Sequence, residues 1–195
     1  MADPTQRIAP ITDADRTDAV RAMFAAIAGV GGSANVDNHF VLKTFARHPA
    51  LTQPFLVFNR HLLSTSTLPV RLRQIAILRV AWVRRAKYMW ASHMRMSLGL
   101  GLTVADIEAA KIGEASPHWA DFERVVVRAA DQLIAGSDVD DDLWASLTAG
   151  LADQQIMDLI FTIGAYTGLA MAFNAMRIQR EPDLVALAEE LGSPA

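Results

Sequence analysis

An imidazole set among bulky apolar neighbours is the most chemically loaded feature of this sequence: in YMWASH, His93 follows Trp90, Met89 and Tyr88 by three, four and five residues. On a helix, Met89, Trp90 and His93 occupy adjacent rows of one face, the floor of a small-molecule pocket. A neutral imidazole serves as general acid or base near pH 7. The preceding stretch, RLRQIAILRVA, supplies Gln74, which can donate to or accept from a carbonyl or carboxylate, and Arg71 and Arg73, either of which can pair with a substrate carboxylate. Tyr88 and Tyr166 can donate to an oxyanion. Met89, Trp90 and Phe173 offer an apolar wall that fits a ring. Asn174, eight residues after Tyr166, shares one side of its helix. These parts suit proton transfer on a small cyclic or unsaturated acid, ester or lactone, and the expected cofactor and metal complement is none.

Each part also has a structural reading. A lone helical His is usually structural, Tyr88 and Trp90 serve a core or an interface as readily as a pocket, and arginines such as Arg71 and Arg73 are more often solvated. Arg79 reads as one half of a buried ion pair.

Composition narrows the classes. The 195 residues are 52% hydrophobic and 20% charged, enough for one sizeable core. A net charge of -3, with arginines scattered along helices, gives no footprint for nucleic acid. The chain has no cysteine, which removes disulfides, thiolate metal sites and thiol catalysis. His39, His48, His61 and His118 have no partner at metal spacing. The cluster Asp140, Asp141 and Asp142 reads as a helix start. The N-terminus lacks a basic region followed by an apolar run, so it is not read as a signal peptide, and a cytoplasmic location is expected. Residues 156–176 tempt a membrane assignment, but Asp158, Thr162, Tyr166, Thr167 and Asn174 interrupt them. A fully buried helix, often one that lies in an oligomer interface, is the expectation. No partner membrane is expected.

Stepping along the chain, no segment alternates with period two, so the fold is expected to be all-α. Residues 1–11 read as an extended arm and 12–195 as a single domain. Thr12 or Asp13 caps a helix reaching about Ala28, and Gly29, Gly31 and Gly32 end it in a linker. Asp37 or Asn38 caps a short helix stopped by His48-Pro49. Further helices are expected over 50–63, with Pro54 in the first turn, and then 70–84 and 88–98, joined by a tight turn at 85–87. The remaining helices span 103–112, 119–135, one opening at the acidic cluster, one from Asp153 to Glu181, and 182–191. Gln74 is farther from the turn than His93, so spacing alone does not place them side by side.

RLRQIAILRVA, AKYMWASHMR and GLTVADIE, with FERVVVRAADQL and GAYTGLAMAFN behind them, resemble the carboxymuconolactone decarboxylase and alkylhydroperoxidase-D superfamily over roughly 49–181. Within it, the Tyr-x-Trp-x-x-His core is similar to a variant with a Tyr-Glu-Trp-x-x-His motif. The resemblance implies an all-α, alkylhydroperoxidase-D-like helical bundle that assembles as a homo-oligomer. Trimer or hexamer is implied, a dimer being the other arrangement, with pockets near subunit contacts. The peroxidase branch carries Cys-x-x-Cys, a His four residues on and a Glu on the preceding helix. Those positions here hold Ala86, Met89, His93 and Gln74, so hydroperoxide reduction is ruled out. The variant's motif Glu is Met89 here. Two readings follow: a cofactor-independent decarboxylase-like lyase or isomerase with His93, Gln74 and Tyr88 at its centre, or a binding or scaffold member that has lost its catalytic carboxylates.

Overall fold

The computed structural model describes residues 6–27 and 39–195, and all the regular structure in them is helical. Its centre is α4 (Val70–Val83), in which Arg73 to Leu78, Val80 and Ala81 are buried. Such a helix, apolar nearly all round, must be covered on every side. It packs on α5 (Lys87–Gly99), α6 (Val104–Ile112), α7 (Asp121–Gly136) and α9 (Asp153–Met176). Further out, α8 (Asp141–Gly150) leans on α7 and α9, and α10 (Pro182–Leu191) lies along α5.

Local chemistry fixes most boundaries. The Thr103 hydroxyl accepts from Asp106 N and the Asp106 carboxylate accepts from Thr103 N, a reciprocal cap that starts α6. Asp140 caps α8 by accepting from Leu143 N at 2.7 Å. Both α4 and α9 end in the motif that normally places glycine in a left-handed conformation. After α4, Arg85 N bonds to Trp82 O, Ala86 N bonds to Ala81 O, and Arg85 has φ 53°. After α9, Arg177 N bonds to Asn174 O, Ile178 N bonds to Phe173 O, and Arg177 also has φ 53°. The first of these turns folds α5 back along α4.

Several expectations shift. The long helix ends at Met176 rather than Glu181, and Glu181 instead precedes α10. Thr12 heads only a short 3-10 turn (Asp13–Asp15). The first α-helix, α1 (Asp18–Ile27), begins after Thr17, whose hydroxyl accepts from Val20 N. The short helix α2 (Phe40–Phe45) follows His39. His48 caps α3 (Pro49–Arg60), which starts on a proline, so Pro54 falls in its second turn. The chain then widens into a π-helical turn, His61–Thr65. The glycines at 29–32, Ser33 and the expected caps Asp37 and Asn38 lie outside the described residues.

Residues 6–11 carry no helix. Arg7 N bonds to Met176 O and Ile11 N to Lys43 O, so this stretch lies along the end of α9 and α2. Ile11, Val20, Met23, Phe24 and Ala46 form a second, smaller core. By length and composition α9 could cross a membrane, yet half of its most apolar window is buried in the fold. Packed against the central α4, it is the expected core helix. It is not covered on every side, however: Met157, Phe161 and Met171 are exposed.

Candidate functional site

The α4–α5 turn brings Gln74 and His93 together. His93 Nδ1 stands 3.0 Å from Gln74 Oε1, and Ser97 Oγ donates to the same oxygen at 3.1 Å. Gln74 lies eleven residues before Arg85, while His93 and Ser97 lie eight and twelve after it, one helical turn apart. The amide therefore reaches between two rungs of α5 rather than straight across, which reconciles the unequal spacing. Ser97, four residues after His93, is a site residue that sequence reasoning missed; the i, i+4 relation was the available signal.

This bond fixes the tautomer. An amide oxygen only accepts, so Nδ1 carries the hydrogen and Nε2 holds the lone pair. Gln74 Nε2 turns away, 3.5 Å from Met96 Sδ. Burial, and then the neighbouring Arg73 charge, push the His93 pKa down to about 3, so the ring is neutral at pH 7. The ring meets Tyr166 edge-on, with centroids 5.1 Å apart.

These groups line a cavity of about 1090 Å³, open on one side, with a mostly apolar surface. His93, Gln74, Arg73, Tyr88, Met89, Tyr166 and Phe173 are all in its wall, and among the described residues no carboxylate is. α5 forms the floor, α9 one side, and α2, α3 and the π-turn the cover. Nothing in the sequence marked the covering residues, such as His39, Pro54 and Leu63, because their role depends only on where α3 lands.

Arg73 departs from the solvated reading. It is 5% exposed, and its Nε has no hydrogen-bond partner among the described residues. Burial lowers its pKa, while Tyr166 and Asp158 oppose that shift. A buried guanidinium without a bonded carboxylate is expensive, and this one borders a cavity. Burial also pushes the Tyr166 hydroxyl pKa upward, so that it stays protonated as a donor.

Three expected site residues are placed elsewhere. Arg71, two positions from Arg73 on α4, points the other way. It grips Asp106 with both terminal nitrogens, at 3.0 and 2.7 Å, and Glu123 with Nε at 2.5 Å. Trp90 is fully buried, its indole donating to Gly192 O at 2.9 Å and packing on Trp82, so only Met89 and His93 of the expected row face the cavity. Asn174 donates to Arg84 O and lines a second, smaller hollow. Tyr88 borders the cavity, but its hydroxyl donates to Glu181 Oε1 at 3.0 Å. Burial and then the Glu181 charge raise its pKa, which makes it a wall rather than an orienter of His93.

Two other histidines are held in ion pairs outside the cavity. His118 pairs with Asp106 at 2.7 Å and His61 with Asp158 at 2.8 Å. Among the described residues, no group of three or more His, Asp or Glu side chains is placed to hold a metal ion. Arg79 pairs with Asp131 at 2.6 Å, as expected.

Comparison with known proteins agrees with this frame. Residues 49–132 match the model of the carboxymuconolactone decarboxylase family. No curated protein shows significant sequence similarity to the chain. Among solved structures, one from Agrobacterium tumefaciens, described as a protein of unknown function and putative antioxidant defence protein AhpD, superposes with TM-score 0.65 at 21% identity. That superposition covers 70% of this chain and 94% of the other. The debrominase Bmp8, as a cysteine-to-alanine form in complex with 2,3,4-tribromopyrrole, gives TM-score 0.76 at 15% identity, covering 97% and 100%. A peroxidase-related protein with the alkylhydroperoxidase AhpD core, from Ralstonia eutropha, gives 0.74 at 15% identity, covering 94% and 96%. The family segment contains the α4–α5 pair that joins Gln74 to His93, and the chain has the alkylhydroperoxidase-D-like fold of these structures, without any cysteine.

Proposed function

We propose that the protein is a cofactor-independent enzyme in which His93 Nε2 takes a proton from a small cyclic or unsaturated carboxylic acid or lactone. The outcome would be decarboxylation, isomerisation, elimination or ring opening. The observation that carries this reading is the Gln74–His93 bond, which leaves a neutral imidazole with its basic nitrogen available in an apolar cavity. Arg73 is the carboxylate clamp, and Tyr166 the donor to developing negative charge.

The charges support an anionic guest. Arg73 helps to hold the imidazole far below its ordinary pKa. A bound carboxylate offsets that charge and lifts His93 towards the pH at which it works, so the base is strengthened only when substrate is present. The debrominase binds a small ring within a similar fold, and the apolar wall of Met89, Leu169 and Phe173 suits a guest of that shape. A thiol-dependent reaction is unavailable to a chain without cysteine.

The test is solvent deuterium incorporation, read by mass spectrometry, across a panel of small unsaturated acids and lactones in D2O. Wild type should exchange a carbon-bound proton in at least one, and His93→Ala should slow that exchange by about 10²–10⁴-fold. Equal exchange in both proteins removes His93 from the chemistry. The non-catalytic reading is favoured by one observation: a base held at a pKa of about 3 is weak while the cavity is empty. If neither wild type nor Gln74→Glu/Met89→Glu exchanges any panel member, the protein is a binding member of the superfamily.

We also infer that the chain self-associates through the outer face of α9. Met157, Phe161 and Met171 are exposed there, with Phe58 edge-on to Phe161 at 6.1 Å. An apolar patch of this kind along one face of a helix fits a second copy. Light scattering should give a multiple of the 21.2 kDa chain mass, and Phe161→Glu should reduce it.

A further inference from the structure

On the far side of Tyr88 and Phe173 from the His93 cavity lies a second hollow of about 420 Å³. Nine of the described residues line it. Four of these are basic (Arg85, Lys87, Arg177 and Arg180), and none of them is acidic. Among the described residues, no ion pair or hydrogen bond engages the side chains of Arg85, Lys87 or Arg180. The chain as a whole is acidic, with a net charge of -3, so this concentration of positive charge runs against its composition. Glu181, next in sequence, is turned inward, where Phe40 N and the Tyr88 hydroxyl both donate to its Oε1.

The backbone makes the cluster more telling. Arg85 and Arg177 occupy the left-handed positions that end α4 and α9, each with φ 53°. Glycine is the residue that takes this conformation without strain. Of the three non-glycine residues with positive φ among those described, these two face the same hollow, and Ser137 lies elsewhere. A basic side chain near a helix C-terminus is ordinarily explained by the helix dipole. Here the two helix ends contribute about one negative charge together, against three cations, Arg85, Lys87 and Arg180, besides Arg177. Part of the demand at those ends is already met, because Asn174 donates to Arg84 O at 2.8 Å and Gln179 to Arg177 O at 3.1 Å.

We infer that this hollow is a binding site for a small multiply charged anion of the phosphate-ester or polyphosphate class. Its volume fits a small ligand rather than a polymer. Several forked guanidiniums meeting in one concavity match the geometry and charge of phosphoryl oxygens. Tyr88 and Phe173 line both hollows, so the bound anion contacts the outer face of the wall that encloses His93. The site stands independently of the reaction proposed for that cavity.

Inorganic pyrophosphate is the probe, titrated calorimetrically at low and high salt against the full chain. Arg85→Gly/Arg177→Gly is the variant, because glycine keeps the left-handed turns and the melting temperature should hold or rise. Pyrophosphate is expected to bind wild type, more weakly at high salt, with a dissociation constant raised at least tenfold in the variant and unchanged in Arg73→Met. The chain has two tyrosines, so 3-fluorotyrosine labelling gives two ¹⁹F resonances, and Tyr88→Phe identifies one. Pyrophosphate should move the Tyr88 signal more than that of Tyr166. The inference fails if no heat of binding is seen at millimolar pyrophosphate or if the glycine variant binds as wild type. Loss of binding in Arg73→Met, or tighter binding of a duplex oligonucleotide than of pyrophosphate, overturns it as well.

Discussion

Two regions on opposite faces of α4 use the same residue types to opposite ends. On one face, Arg71 and His118 converge on Asp106, with Glu123 bonded to Arg71 as well. On the other, Arg73 and His93 stand together with an amide, Gln74, where a carboxylate would complete the set. In the first, burial pushes the Asp106 carboxyl up, but Arg71, Thr103 and His118 outweigh it and hold the pKa well below the usual carboxylate range. In the second, burial outweighs the opposing pull of Tyr166 and Asp158 on Arg73, and both the arginine and the imidazole are pushed towards their neutral forms. The first region is electrostatically complete and holds α4, α6 and α7 together. Among the described residues the second has no carboxylate in its wall, the charge that the proposed substrate would supply.

The comparison can be broken in four places. The largest effect should be on turnover: His93→Ala is expected to lose about 10²–10⁴-fold, whereas His118→Ala should leave turnover within about threefold. Comparable losses in both would mean that the two regions are not functionally distinct. Next comes stability. Asp106→Ala strands Arg71 and His118 and removes the α6 cap, and should cost about 2–4 kcal/mol in urea unfolding. A cost below about 1 kcal/mol would show that the cluster is not structural.

The third test exchanges the arginines. Arg73→Met removes a buried, unbonded charge and should be neutral to about 2 kcal/mol stabilising, while weakening benzoate binding and leaving benzamide unaffected. Arg71→Met should destabilise, because it leaves Asp106 with less compensation. Destabilisation by both would mean that Arg73 has a partner in the folded state.

The smallest effect is a pH slope. The folded pKa of His93 is depressed to about 3 from an ordinary 6.5. Its neutral burial therefore contributes stability that is fully present above pH 6.5 and lost as pH falls towards 3. Wild type should lose up to about 1.4 kcal/mol per pH unit more than His93→Gln between pH 6 and 4. Asp106 is likewise depressed from 3.8, so its contribution is lost only below about pH 4. Parallel curves for wild type and His93→Gln would contradict a buried neutral imidazole.

Much of the fold was legible because its signals are local. Thr103 and Asp106, Asp140, and Pro182 at the start of α10 each mark a helix end by chemistry within one turn. The YMWASH pattern located α5 and its imidazole. Legibility failed where one signal admitted two geometries. Arg177 ends α9 in a conformation usually left to glycine, so a reader looking for Gly or Pro overshoots to Glu181. Trp90 and His93 share a helical face, but at three residues apart the angle between them is large enough for one to enter the core and the other the cavity. Arg71 and Arg73 were indistinguishable as letters.

The sequence alone determined the helical class, the absence of thiol chemistry and the presence of one histidine among apolar residues on α5. These follow from composition and from contacts within a turn or two of the chain. The tertiary structure decided that Gln74 reaches His93, that Arg73 pairs with no carboxylate among the described residues while Arg71 has two, and that Asn174 serves a different hollow. Those outcomes depend on which helices α4 and α9 meet. A side chain's charge state and its role are set by neighbours that are distant in sequence, and its own position cannot name them.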